Sequence, residues 1–213
     1  MCELQTGHNY NGDLYLEEEE ANSVPFVTLK SIAKGGGYKQ DGIKYYDRTD
    51  VDDKYILRRG DIVIANTDVT QEGEVMGMPA QIPIDYNREY AYSMDLTKLE
   101  GIGEYYNTVF LNYLLRLNHI KKRMKSMAAG TTVLHIQTAI LPTLEIPYPP
   151  IAEQERIASV LYTVDEMITR TSELRARYER LKRGLMQDLL SGDVRTPDTL
   201  EPLQEITRNN GRN

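Results

Sequence analysis

The longest regular pattern of apolar and polar residues lies near the C-terminal end of the sequence. From Ala152 to Ser191 there are 40 residues without a proline and with one glycine. Apolar side chains recur there at steps of three and four, except for one step of six through Thr171, which predicts a helix over 151–192 with a narrow apolar seam and one stammer. The seam residues are Ile157, Leu161, Val164, Ile168, Leu174, Tyr178, Leu181 and Leu185.

This predicted helix is too long to be buried by a small domain. At 1.5 Å per residue it would extend for roughly 60 Å, with a single apolar stripe along one side. We therefore expect a partner helix to cover the seam, and a second copy of the chain is the simplest partner. Residues 193–213 show no such pattern, and we interpret them as a flexible tail.

The region 23–150 shows shorter and mixed patterns, which predict an α/β domain. Four prolines between Leu141 and Pro150 predict a stiff extended connector from this domain to the helix. Within the domain, the patterns predict strands at Val24–Ile32 (with a turn), Ile62–Ala65, Tyr90–Leu96 and Thr131–Ile136, a polar loop at Asn66–Gly77, and a helix at Glu104–Met127.

The first 22 residues differ from the rest of the sequence in charge. They contain six acidic side chains and neither lysine nor arginine, whereas residues 23–150 carry equal numbers of acidic and basic side chains. We interpret residues 1–22 as an acidic, disordered leader. The net charge of −7 therefore says little about nucleic-acid binding by the body of the chain, where a basic face could form by clustering of cations.

Several classes of function find no support in the sequence. The single cysteine, Cys2, cannot form an internal disulfide and suits a reducing, cytoplasmic setting. No apolar run approaches the ~18 residues that span a membrane. Because phosphate-binding loops, zinc-ligand spacings and serine nucleophile elbows are not found, we expect no cofactor, no metal and no catalytic residues.

Candidate nucleic-acid contacts fall in four places along the domain. Lysines beside the Gly35–Gly37 run and at the end of the Glu104–Met127 helix could contact phosphates, and amide or hydroxyl groups after Ile62–Ala65 could contact base edges. The alternatives are a flexible glycine loop, a solvated helix end, a capped turn and, for the histidine, a buried packing role. The candidates are Lys34, Lys39, Lys44, Asn66, Thr67, Thr70, Gln71, Lys121, Lys122, Lys125 and His135.

The junction before the long helix resembles a known family. Pro149 and Pro150 are followed by Glu153-Gln154 and then by Arg156-Ile157, a sequence typical of specificity subunits of type I restriction-modification enzymes. The run Gly60-Asp61 followed by Ile62–Ala65 resembles an element of that family's target recognition domain, and Ala129–Ile136 resembles the segment before its proline junction. The resemblance covers roughly residues 24–192.

The resemblance implies a function that the composition does not reveal. Specificity subunits recognise duplex DNA, and they leave methylation and cleavage to a methyltransferase subunit and a motor-nuclease (restriction) subunit. The usual member has two recognition domains held apart by two antiparallel helices, whereas this sequence contains one of each. We expect a half-length form in which two copies pair as an antiparallel coiled coil, each recognising one half of a bipartite target. The alternative is that the sequence is a piece of a longer gene product.

Two other functions stay open at this point. The long helix alone would also suit a coiled-coil adaptor without DNA specificity. A small stand-alone nuclease would need a carboxylate pair; Asp85 and Glu89 could imitate one, but no lysine follows at the usual two-residue offset.

Overall fold

A computed structural model describes residues 3–68, 73–82, 88–130 and 134–196. The chain divides into two units, Met1–Tyr162 and Thr163–Asn213. The boundary falls inside the longest helix, so the first turns of that helix belong to the first unit. None of the described helices has an apolar stretch long enough to cross a membrane.

The first unit is a mixed α/β domain, and most of its strands are short. The strands are β1 (Glu3–Thr6), β2 (Tyr15–Leu16), β3 (Ser23–Val27), β4 (Lys44–Asp47), β5 (Ile56–Leu57), β6 (Ile62–Ala65), β7 (Thr67–Asp68), β8 (Pro79–Gln81), β9 (Tyr90–Tyr92), β10 (Leu96–Glu100), β11 (Ala128–Ala129) and β12 (Leu134–Ile136). The helices are α1 (Thr108–Leu114), α2 (Asn118–Ser126) and α3 (Ile151–Ser191).

The strands form three sheets. An antiparallel four-stranded sheet has the order β1-β10-β6-β8, and a five-stranded sheet has the order β2-β4-β3-β9-β5, in which only β3 and β9 are parallel. A small antiparallel sheet, β11-β12-β7, carries the segment after α2. Strand β7 lies inside the segment Asn66–Gly77 that was predicted as a polar loop, so that prediction is wrong for Thr67 and Asp68.

Strand β6 is buried on both faces, which explains its continuous apolar run. Ile62 and Ile64 pack in a cluster with Leu111 of α1 and Met124 of α2. The alternate residue Val63 belongs to a second cluster on the other side of the strand. A strand with two covered faces needs apolar side chains at successive positions rather than at every second one, as the sequence pattern predicted.

The interpretation of residues 1–22 as a disordered leader is wrong for the part that the structure describes. Strand β1 pairs with β10 along its whole length, and Leu4 packs against the first apolar cluster. His8 is buried and its Nε2 lies 3.0 Å from the Asp50 carboxylate, while Tyr15 packs on Phe26 and Tyr46. Backbone pairing and aromatic packing thus order a segment whose charge alone suggested solvated chain.

The single helix predicted over Glu104–Met127 is two helices. Asn107 caps α1 by accepting a hydrogen bond from the Phe110 N–H at 2.9 Å, and Leu117 has an extended backbone at the start of α2. The break shifts the buried positions, so that Leu111 and Leu115 lie in the core while Leu117 is exposed. One continuous helical period cannot describe the buried positions of two separate helices.

Helix α3 has the length that the sequence predicted. It runs without interruption from Ile151 to Ser191, and Gly192 follows with a positive φ of 83°, which ends the helix at low steric cost. The helix continues through the predicted stammer at Thr171, whose hydroxyl donates to the Met167 carbonyl at 2.7 Å.

Candidate nucleic-acid interface

The glycine run forms a tight turn instead of an open loop. Ile32 and Tyr38 face each other in an antiparallel bridge, which closes the turn. The Gly36 N–H donates to the Ala33 carbonyl at 2.8 Å, and the Gly37 N–H donates to the Pro79 carbonyl at 2.7 Å. The backbone N–H groups of Gly36 and Gly37 are therefore already paired within the protein.

Arg116 lies directly against this turn. A Cβ at Gly36 would stand 2.8 Å from Arg116 Cγ, and the φ of Gly36 is 82°, so both space and backbone conformation require glycine there. The Arg116 guanidinium lies 5.2 Å from the centre of the Tyr113 ring. The turn thus brings a cation from the end of α1 close to Lys34, although the two are 82 positions apart in the sequence.

Three lysines from two distant parts of the sequence meet around Gly73 and Glu74. Lys34 Nζ lies 2.7 Å from the Glu74 carboxylate, and Lys121 Nζ donates to the Glu74 carbonyl at 2.8 Å. The Lys125 side chain covers Gly73, where a Cβ would lie 3.0 Å from Lys125 Cε. We call Lys34, Arg116, Lys121 and Lys125 the basic surface.

The basic surface carries more positive than negative charge. Glu74 is an acidic group that contacts it, and the Lys34–Glu74 pair is exposed on both sides. Exposed ion pairs contribute about 0–1 kcal/mol, so Lys34 can exchange the Glu74 carboxylate for a phosphate oxygen at little cost. The surface has the chemistry of a backbone-contacting patch, whose cations position a duplex without reading its sequence.

Asn66 and Thr67 face the interior of the domain. The Asn66 side-chain amide donates to the Thr97 hydroxyl at 2.9 Å and to the Met94 carbonyl at 3.1 Å, and the Thr67 hydroxyl donates to the Asp95 carboxylate at 3.1 Å. Both residues are buried. The structure thus gives them a packing role inside the domain, which is neither the base contact nor the capped turn considered from the sequence.

The remaining candidates are scattered. Lys39 and Lys122 are exposed, and His135 is exposed on β12, so the buried packing role considered for that histidine is wrong. Lys44 lies in the five-stranded sheet, where its ammonium group stands 4.3 Å above the Tyr15 ring. The structure brings Lys34, Lys121 and Lys125 together and leaves Lys44 with an aromatic cluster. Thr70 and Gln71 lie outside the described residues.

Sequence reasoning missed two members of this region. Arg116 and Glu74 had no local pattern to mark them, because each meets the lysines only through tertiary packing. Asp68, which precedes the undescribed residues 69–72, accepts a hydrogen bond from the Val75 N–H at 2.8 Å. This bond places Asp68 next to Val75, the residue after Glu74.

The nuclease alternative gains nothing from the structure. Glu89 forms an ion pair with Arg48, and Asp85 lies outside the described residues. Within residues 3–68, 73–82, 88–130 and 134–196, no three histidine, cysteine, aspartate or glutamate side chains are grouped to hold a metal ion.

Comparison with known proteins decides the family. Residues 1–180 match the family model described as "Type I restriction modification DNA specificity domain". The chain belongs to this family. The match includes the folded segment before Asn22 that the sequence pattern had assigned to a leader.

Individual relatives agree with this assignment. The chain is similar to the type I restriction enzyme MjaVIII specificity subunit of Methanocaldococcus jannaschii, at 28% identity over 144 residues, which are 66% of this chain and 32% of that protein. Its fold is similar to that of the type I restriction-modification S subunit from M. genitalium, with a TM-score of 0.57 and 20% identity, covering 90% of this chain and 44% of that one.

A second solved structure shares the fold. The HsdS subunit from Thermoanaerobacter tengcongensis matches with a TM-score of 0.53 and 20% identity, covering 94% of this chain and 51% of that one. The predicted fold class, a mixed α/β domain followed by a long C-terminal helix, is confirmed. The chain spans about a third of the MjaVIII subunit's length. The antiparallel coiled coil stays a prediction.

The specificity-subunit motifs in this chain have structural roles. Gln154, in the proline junction, is fully buried: its side chain donates to the Pro149 carbonyl and accepts from the Asn107 N–H, both at 2.9 Å. It joins the start of α3 to the cap of α1. In the Gly-Asp element, Asp61 accepts from the Arg58 N–H at 2.7 Å, and burial raises the pKa of its carboxyl group.

Proposed function

We propose that this chain recognises duplex DNA as the specificity component of a type I restriction-modification complex. Two observations support the proposal: membership of the specificity family over residues 1–180, and the meeting of Lys34, Arg116, Lys121 and Lys125 at one surface. In this account the basic surface holds the phosphate backbone. Base contacts come from neighbouring side chains, with Thr70 and Gln71 as the sequence-based candidates.

The exposed seam of α3 supports a second part of the proposal, that two copies pair through this helix. From Leu161 to Leu185 the seam side chains are exposed to solvent in the single chain, with Leu181 at 56%. A contiguous exposed apolar stripe of this kind marks a protein–protein contact. Ile157 does not belong to it, because it packs against the core of the first unit.

Two-fold pairing has a consequence for the DNA target. If each copy recognises one half of a bipartite site, symmetry requires the two halves to be inverted repeats around a spacer. Specificity-subunit relatives lead us to propose a methyltransferase subunit and a restriction subunit as partners. In that complex the chain selects the site and the partners carry out the chemistry.

Selection from a random duplex library tests the DNA-binding proposal. Purified chain, alone and with a cognate methyltransferase subunit, should enrich a defined set of sequences. Lys34→Gln and Lys121→Gln should weaken binding to all sequences alike, and each lost phosphate contact should reduce the salt slope by about 0.9. Lys54→Gln, which removes an exposed lysine outside the basic surface, is the matched control. Failure to enrich any sequence would favour the coiled-coil adaptor.

A further inference from the structure

Glu74 is an anion held inside the basic surface. Lys34 Nζ lies 2.7 Å from its carboxylate, and the Lys121 ammonium group donates to its backbone carbonyl at 2.8 Å. The Lys125 side chain lies over the preceding residue, Gly73, where a Cβ would stand 3.0 Å from Lys125 Cε. The carboxylate therefore contacts one of the cations that we assign to phosphate binding, and two others lie against the backbone beside it.

The backbone around Glu74 is fixed on both sides. Gly73 has a φ of 58°, a left-handed conformation that favours glycine, and the Val75 N–H donates to the Asp68 carboxylate at 2.8 Å. Together with the bond from Lys121 to the Glu74 carbonyl, these contacts keep the residue at its place in the basic surface. The side chain can rotate, but its negative charge stays close to the cations.

The Lys34–Glu74 pair differs from a second lysine–carboxylate pair of the domain. Lys98 lies 2.6 Å from Glu100, but the Lys98 side chain is only 7% exposed, so this lysine is buried in the domain. In the Lys34–Glu74 pair, by contrast, the side chains are 74% and 41% exposed, and the two residues are 40 positions apart in the sequence. Tertiary structure thus brings this carboxylate to a lysine that a ligand can reach.

A carboxylate in such a position weakens phosphate binding in two ways. It occupies Lys34, which must leave it before contacting a phosphate oxygen, and it repels the incoming phosphate. An exposed ion pair shifts an equilibrium by up to about fivefold, and the repulsion between exposed charges is screened by salt. Neither effect depends on the base sequence, because contacts to the phosphate backbone carry no sequence information.

We propose that Glu74 is an internal competitor of the DNA backbone, which occupies Lys34 in the unbound protein and lowers the affinity for every duplex alike. The inference rests on the proposed function and assigns an autoinhibitory contact to the same basic surface. Phosphate contacts supply essentially all of the affinity for random DNA. A competitor at these contacts keeps that affinity low, so that stable binding requires contacts to bases as well.

Binding of wild type and Glu74→Gln to a selected duplex and to a random duplex tests this inference. Glutamine has the size of glutamate without its charge. We expect binding to both duplexes to strengthen about three- to fivefold in low salt, with a gain that shrinks as salt is added. Glu18→Gln, the control, removes an exposed charge outside the basic surface and should give a smaller gain. Circular dichroism checks that each variant is folded.

The Lys34→Gln background separates competition from repulsion. The competed cation is missing there, so Glu74→Gln should gain less than it does with Lys34 present. An equal gain in both backgrounds would show that Glu74 acts by its charge alone and would overturn its role as a competitor. If Glu74→Gln does not fold, Glu74→Asp, which keeps the charge but shortens the reach to Lys34, should bind more tightly than wild type, and equal binding would overturn the proposal.

The failures of the two proposals can be told apart. A wild-type protein that selects no duplex would overturn the proposed function and this inference together. A wild type that selects DNA, with Glu74→Gln binding no more tightly than Glu18→Gln, would overturn only the role of Glu74. So would weaker binding of Glu74→Gln to the selected duplex alone, because the carboxylate would then accept a hydrogen bond from a cytosine amino group and contribute to sequence recognition.

Discussion

The recognition domain buries its large apolar side chains, whereas the part of α3 that follows Tyr162 leaves them exposed. In the domain, large residues such as Phe26, Ile62 and Met124 are fully buried within three clusters. In Thr163–Asn213, the apolar side chains of the helix are exposed, with Leu190 at 80%. The first unit buries its large apolar side chains within itself, whereas those of the helix in the second unit are exposed to solvent.

The contrast shows how the same residue type serves two purposes in one chain. Burial of a leucine side chain contributes about 1.5–3 kcal/mol relative to exposure, and the domain obtains this contribution within the chain. In the pairing that we propose, the helix would obtain it on association with a second copy. The stability of the domain should therefore be independent of protein concentration, while the state of the helix should depend on it.

The largest expected effect is loss of pairing on substitution of the seam. Leu174→Glu together with Leu181→Glu would place four carboxylates in a paired seam, and the wild-type mass of about twice 24.4 kDa should fall to that of a monomer. Light scattering measures the change. Ser172→Glu with Ala176→Glu adds the same charge to the opposite face of the helix and should leave the mass unchanged.

A wild type that is already a soluble monomer at micromolar concentration would remove the basis of this contrast. So would equal dissociation by the two double variants, because the effect would then come from charge and not from the seam. Circular dichroism of the domain should be the same in all variants.

A smaller effect is expected at Gln154, where the first unit holds the start of α3. Gln154→Ala leaves the Asn107 N–H and the Pro149 carbonyl without partners. Asn107 and Pro149 are partly buried, so each lost hydrogen bond should lower the free energy of unfolding by about 0.5–1.5 kcal/mol, as measured in denaturant titrations. Glu153→Ala, at an exposed position in the same turn, is the control. Equal stability of the two variants would contradict the role of Gln154.

The smallest effect concerns acid stability at the N-terminal segment. Hydrogen bonds from Tyr46 and His8 lower the pKa of Asp50. A carboxyl group whose pKa is lower in the folded state adds stability above its unfolded pKa of about 4, and loses it as the pH falls through the folded value. Asp50→Asn should therefore destabilise the protein at neutral pH and approach wild type in acid. A difference that does not shrink below about pH 4 would be the contrary result.

The sequence predicted those parts of the fold that are determined by residues close together in the chain. Helix α3 and strand β6 were predicted because a 41-residue helix and a doubly covered strand each impose a local pattern. The ordered structure of residues 3–16 was not predicted, because it depends on pairing with β10 and on packing around Phe26 and Tyr46. For those residues, the acidic composition led to the wrong prediction of a disordered segment.

The candidate interface was predictable only in part. Lys34, Lys121 and Lys125 were chosen as separate loop and helix-end lysines, and the structure brings them together through Glu74 and Gly73. Asn66 and Thr67 had suitable chemistry for base edges but lie inside, bonded to Thr97 and Asp95. Sequence identifies hydrogen-bonding groups, and tertiary packing decides which of them reach the surface.

The most direct test of the account is a methylation map of DNA from cells that express this chain with a cognate methyltransferase subunit and no other specificity protein. We predict methylation at one bipartite sequence whose two halves are inverted repeats around a fixed spacer, and its loss in the Leu174→Glu, Leu181→Glu variant. Methylation that does not depend on the chain, or at a site whose two halves differ, would contradict it.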